Sequence, residues 1–128
     1  MQPPDLSGHP LFRDLPVDER RRLLDRMSDV TVEAGEHVVE QGDLSYKFFV
    51  VLEGTASVHR DGVTVAELGP GDFFGETGIL EKARRNAAVV ADTPMRLGMF
   101  ASWDVREVMN RHPTMRDLVE AAHTRRMG

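Results

Sequence analysis

Apolar positions along the chain change their period twice. Between Leu15 and Met27 they recur at helical spacing, with Leu23, Leu24 and Met27 on one stripe behind Pro16 and the acids Asp18 and Glu19. Proline and acids in a first turn mark a helix start, and Leu11-Phe12 ahead of them predicts a separate helical turn. From Ser28 the period falls towards two, through Val30 and Val32, Val38-Val39, Phe48 to Leu52, Ala56 and Val58, then Val63 and Val65. These are expected strands. Glycine-bearing turns separate them, and Asp61-Gly62 is a strong two-residue hairpin signal. Ala87 to Val90 and Arg96 to Phe100 supply two more strands, split by Asp92-Thr93-Pro94. Turns this regular favour a closed roll over an open sheet.

Helical spacing returns after Phe100. Trp103 to His112 reads as a helix with Ser102 as N-cap and Val105, Val108 and Met109 on one face. Pro113 ends it and, with Thr114, opens another helix in which Met115, Leu118, Val119 and Ala122 recur. Trp103, Val108 and Leu118 are expected to be fixed core packing. The fold class is therefore mainly β with flanking helices: a double-stranded β-helix, or jelly roll, of about eight strands.

Length and charge narrow the classes. The 128 residues suit one domain, here 9–128 behind a flexible lead over 1–8, and 41% hydrophobic with 29% charged residues is ordinary globular composition. No stretch has the roughly 18 consecutive apolar residues of a membrane span. Met1 to Asp5 lacks the basic and apolar regions of a signal peptide, so a cytoplasmic location is expected. With no cysteine, disulfides and thiolate chemistry are excluded. A formal charge of −5 offers nucleic acid no global attraction. Arg20-Arg21-Arg22 is expected to be the solvated face of a helix.

The chemistry gathers between Phe73 and Val89. Gly75 lets backbone approach a ligand, and the residues after it can form one helical turn whose free N–H groups face a negative charge. Arg85 adds a planar guanidinium able to hold two phosphate oxygens at once. Glu76 would repel a phosphate, so its expected task is to accept hydrogen bonds from hydroxyls. Phosphate together with hydroxyls implies a nucleotide.

At Phe74-Gly75-Glu76 and Arg85-Asn86-Ala87 the chain resembles the cyclic-nucleotide-binding domain family, whose phosphate-binding cassette runs from Phe-Gly-Glu through a few small or apolar residues and a variable linker to Arg and a small residue. The resemblance covers about the whole chain from Leu11 onward. It implies that Glu76 accepts from the ribose 2′-hydroxyl, that Arg85 binds the cyclic phosphate, and that backbone at Gly78 and Ala87 completes the cradle. It also implies a short cassette helix, and closing helices that act as hinge and lid. Val65, Thr77 and Val89 are expected against the base. Thr77 stands where the family has an aliphatic residue, and Asn86 where it has alanine, serine or threonine, departures that bear on affinity and base choice. Cyclic AMP is the expected ligand, with cyclic GMP the alternative. No cofactor, metal or catalytic residue is implied, and the C-terminal helices are the expected surface for a second copy or an effector.

Two other classes fit parts of the sequence. Rolls of this kind also house cupin-type metal enzymes, but His9, His37, His59, His112 and His123 include no His-x-His pair, and His37 and His59 are expected on exposed strand positions. Related sensor domains also precede a DNA-binding helix-turn-helix, and Arg125-Arg126 by itself reads as a helix end paired with its dipole rather than a DNA patch.

Overall fold

A computed structural model of the chain describes residues 6–42, 46–76 and 87–127. Helix α1 (Val17–Arg26) leads into strands β1 (Ser28–Val32), β2 (His37–Val39), β3 (Lys47–Glu53), β4 (Ala56–Arg60), β5 (Val63–Leu68) and β6 (Phe73–Phe74). Strands β7 (Ala88–Ala91) and β8 (Met95–Ala101) follow, then helices α2 (Ser102–Arg111) and α3 (Pro113–Met127).

The strands form two antiparallel four-stranded sheets in the orders β1-β8-β3-β6 and β2-β7-β4-β5. The first strand pairs with the eighth, the second with the seventh, the third with the sixth and the fourth with the fifth. That pairing is a long two-stranded ribbon folded over twice, which is the expected jelly roll. Its closed end is the β4–β5 hairpin. Asp61 and Gly62 both have positive φ, 54° and 81°, as a tight hairpin turn that follows the strand twist requires. Gln41 holds the tip with its side-chain amide, donating to Asp61 Oδ1 and accepting from the Asp61 N–H, each at 2.9 Å.

Strand β3 is buried on both faces, and its residues alternate between two cores. Phe48 and Val50 join α1, α2 and α3 in a helix-side core with Phe12, Leu23, Phe100, Val105 and Val119. Phe49 and Val51 point into the roll with Val58, Phe74, Val89 and Leu97. Gly98 on β8 lies opposite Val50, and a Cβ there would run into Met27 Sδ and Val50 Cγ2. Only glycine lets α1's end close over the sheet at this point.

The helix-side core reaches further towards the N-terminus than the expected boundary at His9. Leu6 is buried in it, and turn hydrogen bonds run from the His9 N–H to the Leu6 carbonyl and from the Phe12 N–H to the His9 carbonyl. On α1, Leu23 is buried, with Leu24 and Met27 packed against the same core. Arg21 and Arg22 face solvent, whereas Arg20 donates to the carbonyl of Leu15 at 2.7 Å.

At the C-terminal end three expectations are corrected. Ser102 is the first helical residue of α2 and makes no side-chain cap; Ala101 precedes the helix. The serine is buried, and its N–H is used by the Tyr46 carbonyl at 2.9 Å, so sheet continuation takes the place of capping. Trp103 is 60% exposed because the buried face of α2 is Ser102, Val105, Val108 and Met109, leaving position 103 on the opposite side. Leu118 is 40% exposed; the buried stripe of α3 is Met115, Val119 and Ala122, and Leu118 sits on its flank. Val108 is core, as expected.

Candidate functional site

The β6 strand carries the chain into the candidate site and is tied to both cores. Phe73 stacks on Phe48 with ring centroids 5.5 Å apart, and Phe74 stacks on Phe49 at 4.8 Å and an interplanar angle of 13°. The β3–β6 register sets Phe49 directly opposite Phe74 and Val50 opposite Phe73, which leaves Phe48 the diagonal neighbour of Phe73 on the same face. Two aromatic anchors on successive residues fix direction as well as position, so the backbone leaving Phe74 is placed firmly. Gly75 then takes φ of +95°, a conformation that costs glycine little and residues with a Cβ considerably more. The turn delivers Glu76, which is buried with 4% exposure.

Residues 77–86 lie outside the described residues, and with them Thr77, Gly78, Arg85 and Asn86. The chain re-enters at Ala87, buried in the same roll core as Phe74, and continues through β7, where Val89 is buried there too. The two described flanks of the cassette thus return to one core cluster. Val65 behaves differently. It is the extra residue of a bulge in β5 opposite the Val58–His59 step, and it is half exposed.

Helix α3 closes against this region. His123 lies one residue beyond Ala122, on the flank of the buried stripe away from Leu118, since successive helical residues turn by about 100°. Its Nδ1 is 3.9 Å from Glu76 Oε1, and the two side chains are 13% and 6% exposed. Read from the sequence alone, this histidine has no role beyond its absence from a metal pair; its spacing of four from the buried Val119 is the signal that places it against the body of the domain.

A second charged cluster sits where α2 gives way to α3. Glu19 of α1 receives both Arg111 Nε and Nη2, at 3.1 and 3.0 Å, and His112 Nε2 lies 3.5 Å from Glu19 Oε1. Hydrogen bonding from Arg111 holds the Glu19 carboxyl below its ordinary range, against the opposing effect of burial, with His112 adding to the depression. His9 is a satisfied core histidine. Its Nδ1 accepts from the Leu11 N–H at 3.2 Å and its Nε2 lies 3.2 Å from the Asp72 carbonyl, a pairing that fixes the neutral ring with hydrogen on Nε2. Burial pushes its pKa below the ordinary histidine value. His37 is exposed and pairs with Glu40, while His59 is half-buried and meets the Thr64 hydroxyl at 3.2 Å. A cleft of about 470 Å³ between the N-terminal turns and β3 is lined by His9, Leu52, Glu53, Gly71 and Arg96 among others; among the described residues, Phe74, Gly75, Glu76 and Ala87 of the cassette do not line it.

With this geometry in place, comparison with known proteins decides the family. The family model for the cyclic nucleotide-binding domain matches residues 29–112. The chain belongs to that family. The cAMP-dependent protein kinase regulatory subunit of Schizosaccharomyces pombe is 34% identical over 96 residues, covering 74% of this chain and 23% of that protein. Among solved structures, the catabolite activator protein of Thermus thermophilus superposes with a TM-score of 0.77 at 29% identity, over 92% of this chain and 58% of that one. The regulatory domain of Toxoplasma gondii PKA with cAMP gives 0.79 at 23% identity, over 94% and 47%, a likeness of fold. This cyclic nucleotide-binding domain therefore spans about a quarter of the length of that curated relative. Among the described residues, no helix is long and apolar enough to cross a membrane.

Proposed function

We propose that the domain is a cyclic AMP sensor, and that the observation carrying this is the buried Glu76 carboxylate, delivered by Gly75 at the point where both flanks of the cassette meet the roll core. A carboxylate accepts hydrogen bonds and donates none, and a ribose hydroxyl is a donor that suits it. Arg85 would grip the cyclic phosphate, with Gly78 and Ala87 backbone completing the cradle, and Val89, Thr77 and Val65 would meet the base. Signal would leave through α2 and α3, to a second copy or an effector protein. Catalysis has no part in this reading; the domain binds and reports. The relatives named above, a kinase regulatory subunit and a catabolite activator protein, support a regulatory output carried by sequence outside the matched region.

Thermal melting with and without millimolar cyclic AMP tests it. A ligand that binds only the folded state adds about 2.7 kcal/mol at 100-fold over Kd, which raises the melting temperature by several degrees; linear 5′-AMP should do much less. Arg85→Gln should weaken binding roughly 10- to 150-fold, from the loss of about 1.5–3 kcal/mol of charged hydrogen bonding. Arg84→Gln is the control and should change affinity by less than about threefold. No shift with either cyclic AMP or cyclic GMP would refute the sensor reading, and a stronger effect of cyclic GMP would overturn the base preference.

A further inference from the structure

We propose that His123 is a ligand-contact residue carried by α3, one that shares the ribose 2′-hydroxyl with Glu76. The proposal rests on the reading of Glu76 as the sugar contact. The separation of Nδ1 and Oε1, 3.9 Å, is too long for a direct hydrogen bond. It suits a group shared between them: one hydroxyl oxygen can lie about 2.8 Å from each atom, with an angle near 90° at the oxygen. The hydroxyl then donates its hydrogen to the carboxylate and accepts from Nδ1–H. A carboxylate facing Nδ1 favours hydrogen on that nitrogen, so the donor is pre-set by the acceptor beside it.

Two features distinguish this from an incidental neighbour. Both side chains are largely withdrawn from water, 13% and 6% exposed, so a hydroxyl placed between them meets little competition from solvent. And His123 is held there by packing, since Val119 and Ala122, four and one residues before it, are buried in the helix-side core. The sugar would then be read by two residues about fifty positions apart in sequence, one on the roll and one on the last helix. Ligand occupancy would fasten α3 to the cassette through a single oxygen atom.

Calorimetry on the full chain tests this with cyclic AMP and 2′-deoxy cyclic AMP as paired ligands. His123→Leu keeps an apolar side chain on the flank of α3 and removes the donor; it should weaken cyclic AMP about fivefold, the value of one ordinary hydrogen bond, and leave the deoxy ligand within about twofold. His123→Asn puts an amide N–H near the place of Nδ1 and should recover most of the loss. Equal weakening of both ligands by His123→Leu would mean helix packing alone, and tighter binding of cyclic AMP would mean that His123 competes with the sugar for Glu76. Either result overturns the proposal, as does failure of His123→Asn to restore the preference. Glu76→Gln separates the two levels. If it abolishes discrimination against the deoxy ligand while the His123 variants do not, only the helix contact is wrong; if it leaves discrimination intact, or the parent binds neither ligand, the reading of Glu76 falls as well.

Discussion

Arg111, in the last turn of α2, grips both carboxylate oxygens of Glu19 on α1, at 3.1 and 3.0 Å, and so ties the N-terminal helix to the residue just before the α2–α3 break. His112 approaches the same carboxylate. Glu19 is buried while Arg111 is partly open to water, so the pair is a bridge with one dry end. Glu19→Gln should lower the melting temperature by about 4 °C, a modest effect because solvent screens the exposed partner. The Glu19 carboxyl titrates below its unfolded value of about 4.5, so its contribution is present above that pH and is lost as pH falls through the lower folded value. Melting curves between pH 3 and 6 should therefore fall more steeply for the parent than for Glu19→Gln, and parallel curves would exclude this linkage.

His9 acts with the same pH sign from the other kind of group. Its ring is held neutral by accepting from Leu11, and burial lowers its pKa beneath the ordinary value of 6.5. Unfolded chains take up the proton first, so stability is full above about pH 6.5 and declines as pH falls towards the folded pKa. A His9→Gln variant should be less stable than the parent at pH 7.5 but lose little more on going to pH 5.5. Chemical denaturation at the two pH values measures the difference.

Gly75→Ala should cost roughly 1–2 kcal/mol of stability, because alanine must adopt a φ of +95° that only glycine takes readily. If the turn also aims Glu76, the variant loses cyclic nucleotide affinity by more than its loss of stability explains. Titration at a temperature where both proteins are fully folded separates the two. Unchanged affinity would show that the carboxylate can be placed by another turn.

Trp103→Ser and Val108→Ala give a paired check on the helices. Val108 is buried and Trp103 is not; truncating the valine should cost a few kcal/mol, whereas the tryptophan substitution should fall within about 0.5 kcal/mol. Urea midpoints for the two variants should differ clearly, with Val108→Ala the lower.

The roll was legible in the sequence because alternation and turn chemistry agreed at each step. Asp61-Gly62 marked the hairpin, and the alternation at Ala56 and Val58 and the run Ala87 to Val90 marked strands that pair with each other in the structure. Strand β6 is hard to see in the sequence, since two residues carry no period; Phe73 and Phe74 open the stretch that carries the chemistry, and the structure shows them stacked on Phe48 and Phe49. Trp103 is large and apolar, which favours burial, but helical phase sets it opposite Val105, Val108 and Met109 and decides its exposure. The Glu19–Arg111 and Glu76–His123 pairs join residues 92 and 47 positions apart, and single-sequence spacing carries no information at that range.

The alternation of β3 between two cores raises a problem of folding that burial cannot solve. In most strands a one-residue slip turns apolar side chains out to water and is penalised at once. Sliding Phe48-Phe49-Val50-Val51 by one position merely exchanges which core receives which side chain, so a mispaired strand would still be dry and nearly as oily. Discrimination must come from features with no tolerance for displacement. Gly98 offers one, since its missing Cβ is the space that Met27 and Val50 use, and Gly54 another, pressed against Pro94 and Met95 just past the strand's end with φ of +88°. These two glycines act as a vernier for β3. Replacing either with alanine should lengthen the search among near-native pairings, and the trace would be a slow refolding phase that the parent lacks.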